Sequence, residues 1–202
     1  MKLPFSQNKP STPAPQGAHP ARLVRVLDLG TQTTPFKHED GSPVIQRKLS
    51  VAWEIYTDPR MEDDRPFMVS EKYTRSLNEK SSLFKMLNSW LGAEFQDSIA
   101  AGTFDLASIL GRPCMVSVNH MTSAKGTNFA KVGSIMVLPK ALAKSIDPQV
   151  NPNVMFDLDA FDKAVYDSLP NWQREEIAKS PEYVHATGGR VESFDDDIPP
   201  CL

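Results

Sequence analysis

The sequence predicts a mainly β protein with a central helix, further helices near the C-terminal end, and disordered tails. Three observations predict this class. Residues 46–56 alternate between apolar and polar side chains, which is the period of a half-buried strand. Residues 81–91 change to helical spacing. Residues 1–20 and 184–202 are rich in proline, polar or acidic residues, so neither segment is expected to build a core.

The first two predicted strands follow the proline-rich arm of residues 1–20. Residues 21–29 are β-prone, and Gly30 is a turn signal that predicts the end of this strand. A polar loop over residues 31–43 leads into the second strand. One face of that strand is apolar and carries Leu49, Val51, Trp53 and Ile55.

A third strand, a helical region and two more strands complete the predicted body. The third strand follows a charged loop and spans residues 67–76, where a bulge would turn Tyr73 and Arg75 to the face opposite Phe67. The helix over residues 81–91 ends at Gly92, and a second helical stretch over residues 95–110 is interrupted at Gly102. Two strands, 114–120 and 128–138, are joined by a hairpin turn at residues 124–127.

This order of three strands, a helix and two strands is that of the OB-fold, a small five-stranded Greek-key β-barrel with a helix between strands three and four. Other five-stranded barrels and α+β sheets share the order. Residues 21–140 are therefore predicted to form an OB-fold domain, residues 141–183 a helical extension, and residues 184–202 a disordered acidic tail. Within the extension, Asp159 and Asp162 are suited to cap a helix and occupy its first turn.

The charge is divided unequally between the body and the C-terminal part. Residues 1–140 carry 17 Lys and Arg against 13 Asp and Glu, whereas residues 141–202 carry 5 against 12. The net charge of -3 hides this asymmetry. A mildly basic body with an acidic tail indicates a site for a polyanion and a separate segment that faces other proteins.

Basic and aromatic residues cluster on the elements with which an OB barrel binds single strands, namely its second and third strands and the adjoining loops. Alone, each has a plainer explanation as a solvated lysine or a core aromatic. As a set they predict a nucleic-acid site formed by Arg47, Lys48, Tyr56, Lys72, Tyr73, Arg75, Lys125, Phe129 and Lys131.

The sequence contains no motif of a known catalytic class, and the chain is interpreted as non-catalytic. Its four histidines are far apart, nucleophile elbows and phosphate-binding loops are missing, and Cys114 lies in an apolar strand. Asp157 and Asp159 resemble the carboxylate pair of a metal-dependent nuclease, but a helix start accounts for them, and neither metal nor cofactor is expected. Without a signal peptide or a membrane-spanning stretch, a cytoplasmic protein is expected.

The C-terminal tail combines adjacent aspartates with flanking apolar residues, which favours docking on a basic, apolar-lined pocket of another protein. It resembles the acidic tip of bacterial single-stranded-DNA-binding proteins, which recruits replication and repair enzymes. The residues that carry this resemblance are Phe194, Asp195, Asp196, Asp197, Ile198 and Pro199. The tail departs from the family's terminal Phe, because Pro200, Cys201 and Leu202 follow instead.

The body is similar to single-stranded-DNA-binding proteins of bacteriophages and prophages. The similarity extends from about Pro20 to Tyr183 and rests on residues 25–32, 65–74, 110–114 and 151–159. It implies an OB-fold and a role in coating displaced strands during phage DNA replication or recombination. The helices after Pro152 are candidate contacts for a homodimer or a higher homo-oligomer. Two alternatives remain: an adaptor of the replication machinery without DNA affinity, and a metal-dependent nuclease using Asp157 and Asp159.

Overall fold

The computed structural model describes residues 12–58, 60–124, 126–143 and 146–189. Within these ranges the chain is mainly β, as predicted, with one six-stranded sheet and five short α-helices. No helix of the described chain has the length and apolar character that crossing a membrane requires. The elements are β1 (Gly17–Lys37), β2 (Pro43–Ile55), β3 (Phe67–Thr74), α1 (Ser82–Leu91), α2 (Ala93–Ala100), β4 (Pro113–Thr122), β5 (Asn128–Met136), β6 (Val154–Phe156), α3 (Lys163–Ser168), α4 (Asn171–Ile177) and α5 (Pro181–Ala186), with 3-10 turns at Leu106–Ile109 and Leu158–Ala160.

The sheet has the strand order β3-β2-β1-β4-β5, and each neighbouring pair in this order is antiparallel. The short strand β6 pairs with β1 in parallel. β1 has two main partners, because residues 17–22 pair with β4 and residues 21–37 pair with β2. The edge strands β3 and β5 approach within 8 Å at their Cα atoms. No ladder joins them in the described residues, so the sheet is curled but unclosed.

β1 continues through the glycine at which the sequence predicts its end. Gly30 has a φ of +68°, which glycine adopts without steric cost. The register between β1 and β2 shifts at this point, and the Asp28 carboxylate accepts the Gly30 N–H at 3.0 Å. Gly30 therefore forms a bulge rather than a turn. The predicted loop over residues 31–43 is wrong for most of its length, since only residues 38–42 form the turn between β1 and β2.

The main core lies between the inner face of the sheet and α1. The predicted apolar face of β2 is confirmed, since Trp53 and Ile55 are fully buried there. α1 begins after Ser81, whose hydroxyl accepts the Phe84 N–H at 3.1 Å, and it ends before Gly92 as predicted. The second helical stretch is also confirmed, with a break around Gly102. The core thus fixes α1 beside the two edge strands, β3 and β5.

Part of the predicted N-terminal disordered arm is strand. Residues 17–20 begin β1 and pair with residues 115–118 of β4. Just before them, Ala14 is buried and its carbonyl accepts a hydrogen bond from His120 Nε2 at 2.8 Å. The prediction of disorder is therefore wrong for residues 17–20. A free strand edge on β4 provides the backbone partners that composition cannot reveal.

The C-terminal extension, defined as residues 146–189, packs on the outer face of β1 and forms a second core. Its aromatic residues Phe156, Tyr166 and Tyr183 contact Leu27 and Leu29 of β1 in this cluster. Asp162 is the N-cap of α3 and accepts the N–H groups of Ala164 and Val165, so the helix begins later than the predicted cap at Asp159, which lies in the preceding 3-10 turn. α5 reaches Ala186, past the predicted onset of disorder after residue 183, because Ser180 caps it and Pro181 suits its first turn.

Candidate nucleic-acid interface

Two of the predicted DNA-contacting residues, Arg47 and Arg75, are bound to carboxylates of the same chain. Both guanidinium groups converge on Asp28 of β1, which is only 2% exposed. Arg47 also reaches Asp159 at 2.8 Å, and Arg75 reaches Asp159 at 3.1 Å. Asp157 lies 3.3 Å from Arg75. These five residues are called the Asp28 network, and they join β1, the β2–β3 pair and the C-terminal extension.

The Asp28 network reverses the charge balance predicted for this end of β2 and β3. Three carboxylates surround two guanidinium groups there. The hydrogen bond to Asp28 raises the pKa of Arg47 above its ordinary value, and the hydrogen bond from Arg47 lowers the pKa of Asp159. Charge-assisted bonds of this kind are among the stronger ones in proteins. A phosphate would therefore have to displace carboxylates to bind these arginines.

The two predicted lysines on β2 and β3 also have partners within the chain. Lys48 Nζ donates to Gln46 Oε1 at 2.7 Å and to Thr74 Oγ1 at 3.0 Å. Partial burial lowers the pKa of Lys48. Lys72 is half exposed and forms an ion pair with Glu176 of α4 at 2.5 Å. Lys72 can still meet solvent, whereas Lys48 is largely occupied by the sheet itself.

The two predicted stacking tyrosines, Tyr56 and Tyr73, are buried. Their residues are 8% and 7% exposed. The register between β2 and β3 is continuous, so the bulge that would turn Tyr73 outward is wrong. Tyr73 instead packs edge-on against Trp53, with ring centroids 6.5 Å apart. Burial raises the pKa of both hydroxyl groups. In this conformation neither ring offers a face to a nucleobase.

The predicted residues on the β4–β5 hairpin are exposed. Phe129 is 43% exposed and lies opposite Met121, which is 47% exposed. Lys131 is exposed opposite Asn119, and it forms no ion pair within the described chain. The hairpin turn itself is confirmed, because Ser123 N–H donates to the Thr127 carbonyl. Lys125, the remaining predicted residue, lies outside the described residues, as do Phe194, Asp195, Asp196, Asp197, Ile198 and Pro199 of the tail.

The outer face of β2 is closed by the C-terminal extension. Glu54 is fully buried there and accepts the backbone N–H groups of Val150 at 2.8 Å and Asn151 at 2.7 Å. Burial alone would raise the pKa of Glu54, but these hydrogen bonds outweigh it and lower the pKa. Glu182 of α5 binds the Thr31 N–H at 2.8 Å in the same way. Buried hydrogen bonds to charged groups thus hold the extension on the sheet.

Asp28 also supplies a third acid beside the pair proposed for a nuclease. One oxygen of each of Asp28, Asp157 and Asp159 lies within 4.8 Å of the others. Sequence spacing gives no third acid, because Asp28 is more than a hundred residues away along the chain. Arg47 and Arg75 already bind these carboxylates, and Asp157 and Asp159 lie at a 3-10 turn that Asp157 caps. The three carboxylates thus take part in ion pairs with Arg47 and Arg75, and Asp157 also has the capping role that the sequence suggests.

Cys114 and two of the four histidines, His19 and His120, have evident structural roles. Cys114 is fully buried in the main core, where burial raises the pKa of its thiol. A protonated, inaccessible thiol is a poor nucleophile. His19 donates to the Pro15 carbonyl at 2.9 Å, and His120 to that of Ala14. These two imidazoles therefore hold the segment before β1 against the sheet.

Three exposed residues on or near the β4–β5 hairpin are not among the nucleic-acid contacts that the sequence predicts. Lys85 projects from the exposed side of α1, and Asn119 and Met121 form the outer row of β4. The signal for Asn119 and Met121 is their alternation with the buried residues Val116 and Val118. Asp28 has a weaker signal, since an acid within an apolar strand needs a charged partner.

Comparison with known proteins does not assign this chain to a family. No family model matches the sequence, and no curated protein is significantly similar to it.

Proposed function

We propose that this protein binds single-stranded DNA without sequence preference, through an OB-type barrel. The observation that carries the proposal is the exposed row of aromatic, aliphatic and basic side chains on the β4–β5 hairpin, formed by Phe129 and Lys131 with Asn119 and Met121. Stacking platforms beside cationic groups are what sequence-tolerant single-strand binding requires.

The topology supports the OB assignment. β1 pairs with both β2 and β4, which makes it the strand shared by two antiparallel meanders. α1 lies between β3 and β4 in the chain and packs beside β3 and β5. The edge strands approach each other, which is the geometry from which a five-stranded barrel closes. The C-terminal extension is then an addition on the outside of the barrel.

From the sequence resemblance to phage and prophage proteins alone, we further propose a role in DNA replication or recombination in the host cytoplasm. In this proposal the acidic tail recruits replication or repair enzymes, because its aspartates and flanking apolar residues suit a basic, apolar-lined pocket. Removal of residues 193–202 would then leave DNA binding in place while abolishing capture of the partner enzyme. Such a separation of functions distinguishes a recruiting tail from a solubilising one.

A binding comparison of unpaired DNA, duplex DNA and RNA tests the proposal. Fluorescence anisotropy with a labelled oligo-dT of about 30 nucleotides leaves room for more than one OB-fold site. We expect tight binding to oligo-dT, weaker binding to duplex, and a slope of log K against log salt of about -0.7 for each phosphate contacted. Absence of binding to oligo-dT even at low salt would contradict the proposal and favour an adaptor without DNA affinity.

The same reactions test the nuclease alternative when Mg²⁺ or Mn²⁺ is added. Under the proposal the labelled strand stays intact, because Arg47 and Arg75 already bind the three clustered carboxylates. Shortening of the strand, lost in Asp157→Asn, would replace the binding function with a catalytic one. Asp167→Asn is the matched control, because that carboxylate pairs with Lys163 away from the Asp28 network.

A further inference from the structure

The gap between the edge strands β3 and β5 opens to the outside as a cleft in two parts. The part near the β4–β5 turn has a volume of about 660 Å³ and is lined by Met68 and Ser70 of β3 and Phe129 of β5. The part near α1 has a volume of about 370 Å³ and is lined by Lys72 and Lys85 together with residues 132–135. Lys131 lies on β5 between the two parts. These two parts together are called the seam cleft.

The walls of the seam cleft combine apolar and cationic groups in a way that suits a polyanion with flat apolar bases. Met68 and Phe129 are 37% and 43% exposed at one end. Lys85 lines the other end and is exposed, and Lys131 is an exposed residue of β5 between the lining residues Ala130 and Val132; neither lysine forms an ion pair within the described chain. Serine hydroxyl groups of α1 and β5 add hydrogen-bonding capacity.

The charge around the seam cleft favours a phosphate backbone. Among its lining residues the only carboxylate in the described chain is that of the half-buried Glu71. Lys72, which pairs with Glu176 of α4, and Lys85 line the cleft beside it. Ser82, the first residue of α1, lines the same part, so the positive end of the α1 dipole lies beside these lysines.

The outer face of β2 offers none of this. Glu54, Ser50 and Ala52 on that face are buried, and residues 150–151 of the C-terminal extension bind Glu54. At the end of β2 and β3 the arginines are held in the Asp28 network. A polynucleotide crossing β2 would have to remove the extension and its second core, whereas the seam cleft is open to solvent among the described residues, with residues 12–14 along one edge.

We propose that a single strand of DNA lies along the seam cleft, with a base stacked on Phe129 and phosphates beside Lys131 and Lys85. The strand runs from the β4–β5 turn toward the N-terminal end of α1, following the edges of β3 and β5 instead of crossing β2. This path rests on the proposed DNA-binding function and adds the location and the contact residues.

The direct test compares seam variants with a matched pair on the covered side of the molecule. The seam variant is Phe129→Ala with Lys131→Ala. The control is Trp172→Ala on α4 with Lys179→Ala in the turn after α4, which removes an aromatic that is 54% exposed and one positive charge. We expect the seam variant to bind oligo-dT about 5- to 100-fold more weakly, as loss of one stacked base and one phosphate contact predicts. The control should bind like the unchanged protein.

Salt dependence separates the two lysines from the aromatic. Lys131→Ala and Lys85→Ala should each reduce the slope of log K against log salt by about 0.7, whereas Phe129→Ala should leave the slope unchanged. All three side chains are exposed, so thermal unfolding should confirm that the variants fold like the original chain. Unchanged affinity of the seam variants, beside firm binding by the unchanged protein, would overturn the path but not the DNA-binding function.

Photocrosslinking provides a second, independent readout. Oligo-dT containing 5-bromodeoxyuridine should crosslink to the peptide that carries Phe129. A crosslink on Phe36 of the β1–β2 hairpin, which is 72% exposed, or on Trp172 would overturn the proposed path. If the unchanged protein binds no unpaired DNA in any of these assays, the proposed function itself fails and the path falls with it.

Discussion

The outer surface of the sheet has two contrasting sides, the covered side of β1 and β2 and the open side of β3 and β5. On the covered side, acids and bases bind each other across distant segments, as Asp28 does with Arg47 and Arg75. On the open side, Lys85 and Lys131 face solvent without an ion pair in the described chain. In the sequence, the two arginines and the two lysines carry the same positive charge. The comparison teaches that availability to a ligand depends on the partners that folding supplies.

The covered side is built like a domain interior. Leu27 and Leu29 of β1 meet four aromatic rings of the extension, and neighbouring ring centroids such as those of Tyr166 and Tyr183 lie 5.1 Å apart. Its buried carboxylates are satisfied by backbone N–H groups or guanidinium groups. In the part of the chain that the structure describes, the open side carries no second layer of this kind. Unbinding of the extension should therefore be costly, whereas ligand entry at the seam cleft requires little rearrangement.

The largest expected effect tests whether the extension is an integral layer. Tyr166 is fully buried in the second core. Its replacement by alanine should reduce the free energy of unfolding by about 3–5 kcal/mol, the range for removing a large buried aromatic side chain. Urea unfolding followed by circular dichroism measures the change. Trp172→Ala on the neighbouring α4 is the control and should cost less than about 0.5 kcal/mol, since its side chain is largely exposed.

If Tyr166→Ala left the free energy of unfolding unchanged, the contrast between the two sides would be wrong, because the extension would then contribute little to the folded state. A single cooperative transition for the unchanged protein, with sheet and extension unfolding together, is expected on the same grounds. Two separate transitions would show that the covered face of β2 is exposed before the sheet unfolds.

The next prediction concerns the free energy of unfolding in acid. It depends on Glu54 and Glu182, whose carboxylates form hydrogen bonds between the extension and the sheet. Hydrogen bonds lower the pKa of both carboxyl groups in the folded state despite their burial. Their contribution to stability is therefore fully present above the ordinary glutamate pKa of 4.5 and is lost as pH falls through the lower folded-state values. We expect the free energy of unfolding to decrease below about pH 4.5, measured by urea titration at several pH values.

Glu54→Gln sharpens this test. At neutral pH the variant should lose roughly 1–3 kcal/mol, because a neutral amide replaces the carboxylate that binds the N–H groups of Val150 and Asn151. The difference between the variant and the unchanged protein should narrow as the solution becomes acidic. Glu39→Gln, at an exposed position in the β1–β2 turn, is the control. A constant difference across the pH range would mean that the charge of Glu54 contributes nothing.

Most of the fold can be predicted from local patterns, because each pattern depends only on residues that are neighbours in the sequence. The apolar alternation of β2, the helical spacing of α1 with its stop at Gly92, and the hairpin turn before β5 all appear as predicted. The misses depend on distant partners. Gly30 has the local signal of a turn, but it forms a bulge in which its N–H group binds the Asp28 carboxylate. Residues 17–20 form a strand because they pair with the edge of β4. Such contacts leave no local trace.

The candidate site was less predictable for the same reason. Charge and alternation place Arg47 and Tyr73 on the expected strands, but Arg47 binds acids from β1 and the extension. Tyr73 lies in the core because the β2–β3 register has no bulge. Phe129 and Lys131 are exposed, as a nucleic-acid site needs, because the β4–β5 register places both opposite exposed residues of β4. DNA contact at any of them stays a prediction until it is measured.

The smallest expected effect lies at the border between the two sides, where Glu176 of α4 pairs with Lys72 of β3 at 2.5 Å. Glu176→Gln should free Lys72 for phosphate and tighten oligo-dT binding by about two- to fivefold, the worth of one exposed ion pair. Glu175→Gln removes the same charge from the same helix without touching Lys72, so it is the matched control. The gain should disappear when Lys72→Ala is added. An equal gain in both glutamine variants would mean that the net charge of α4, and not the release of Lys72, controls DNA affinity at this border.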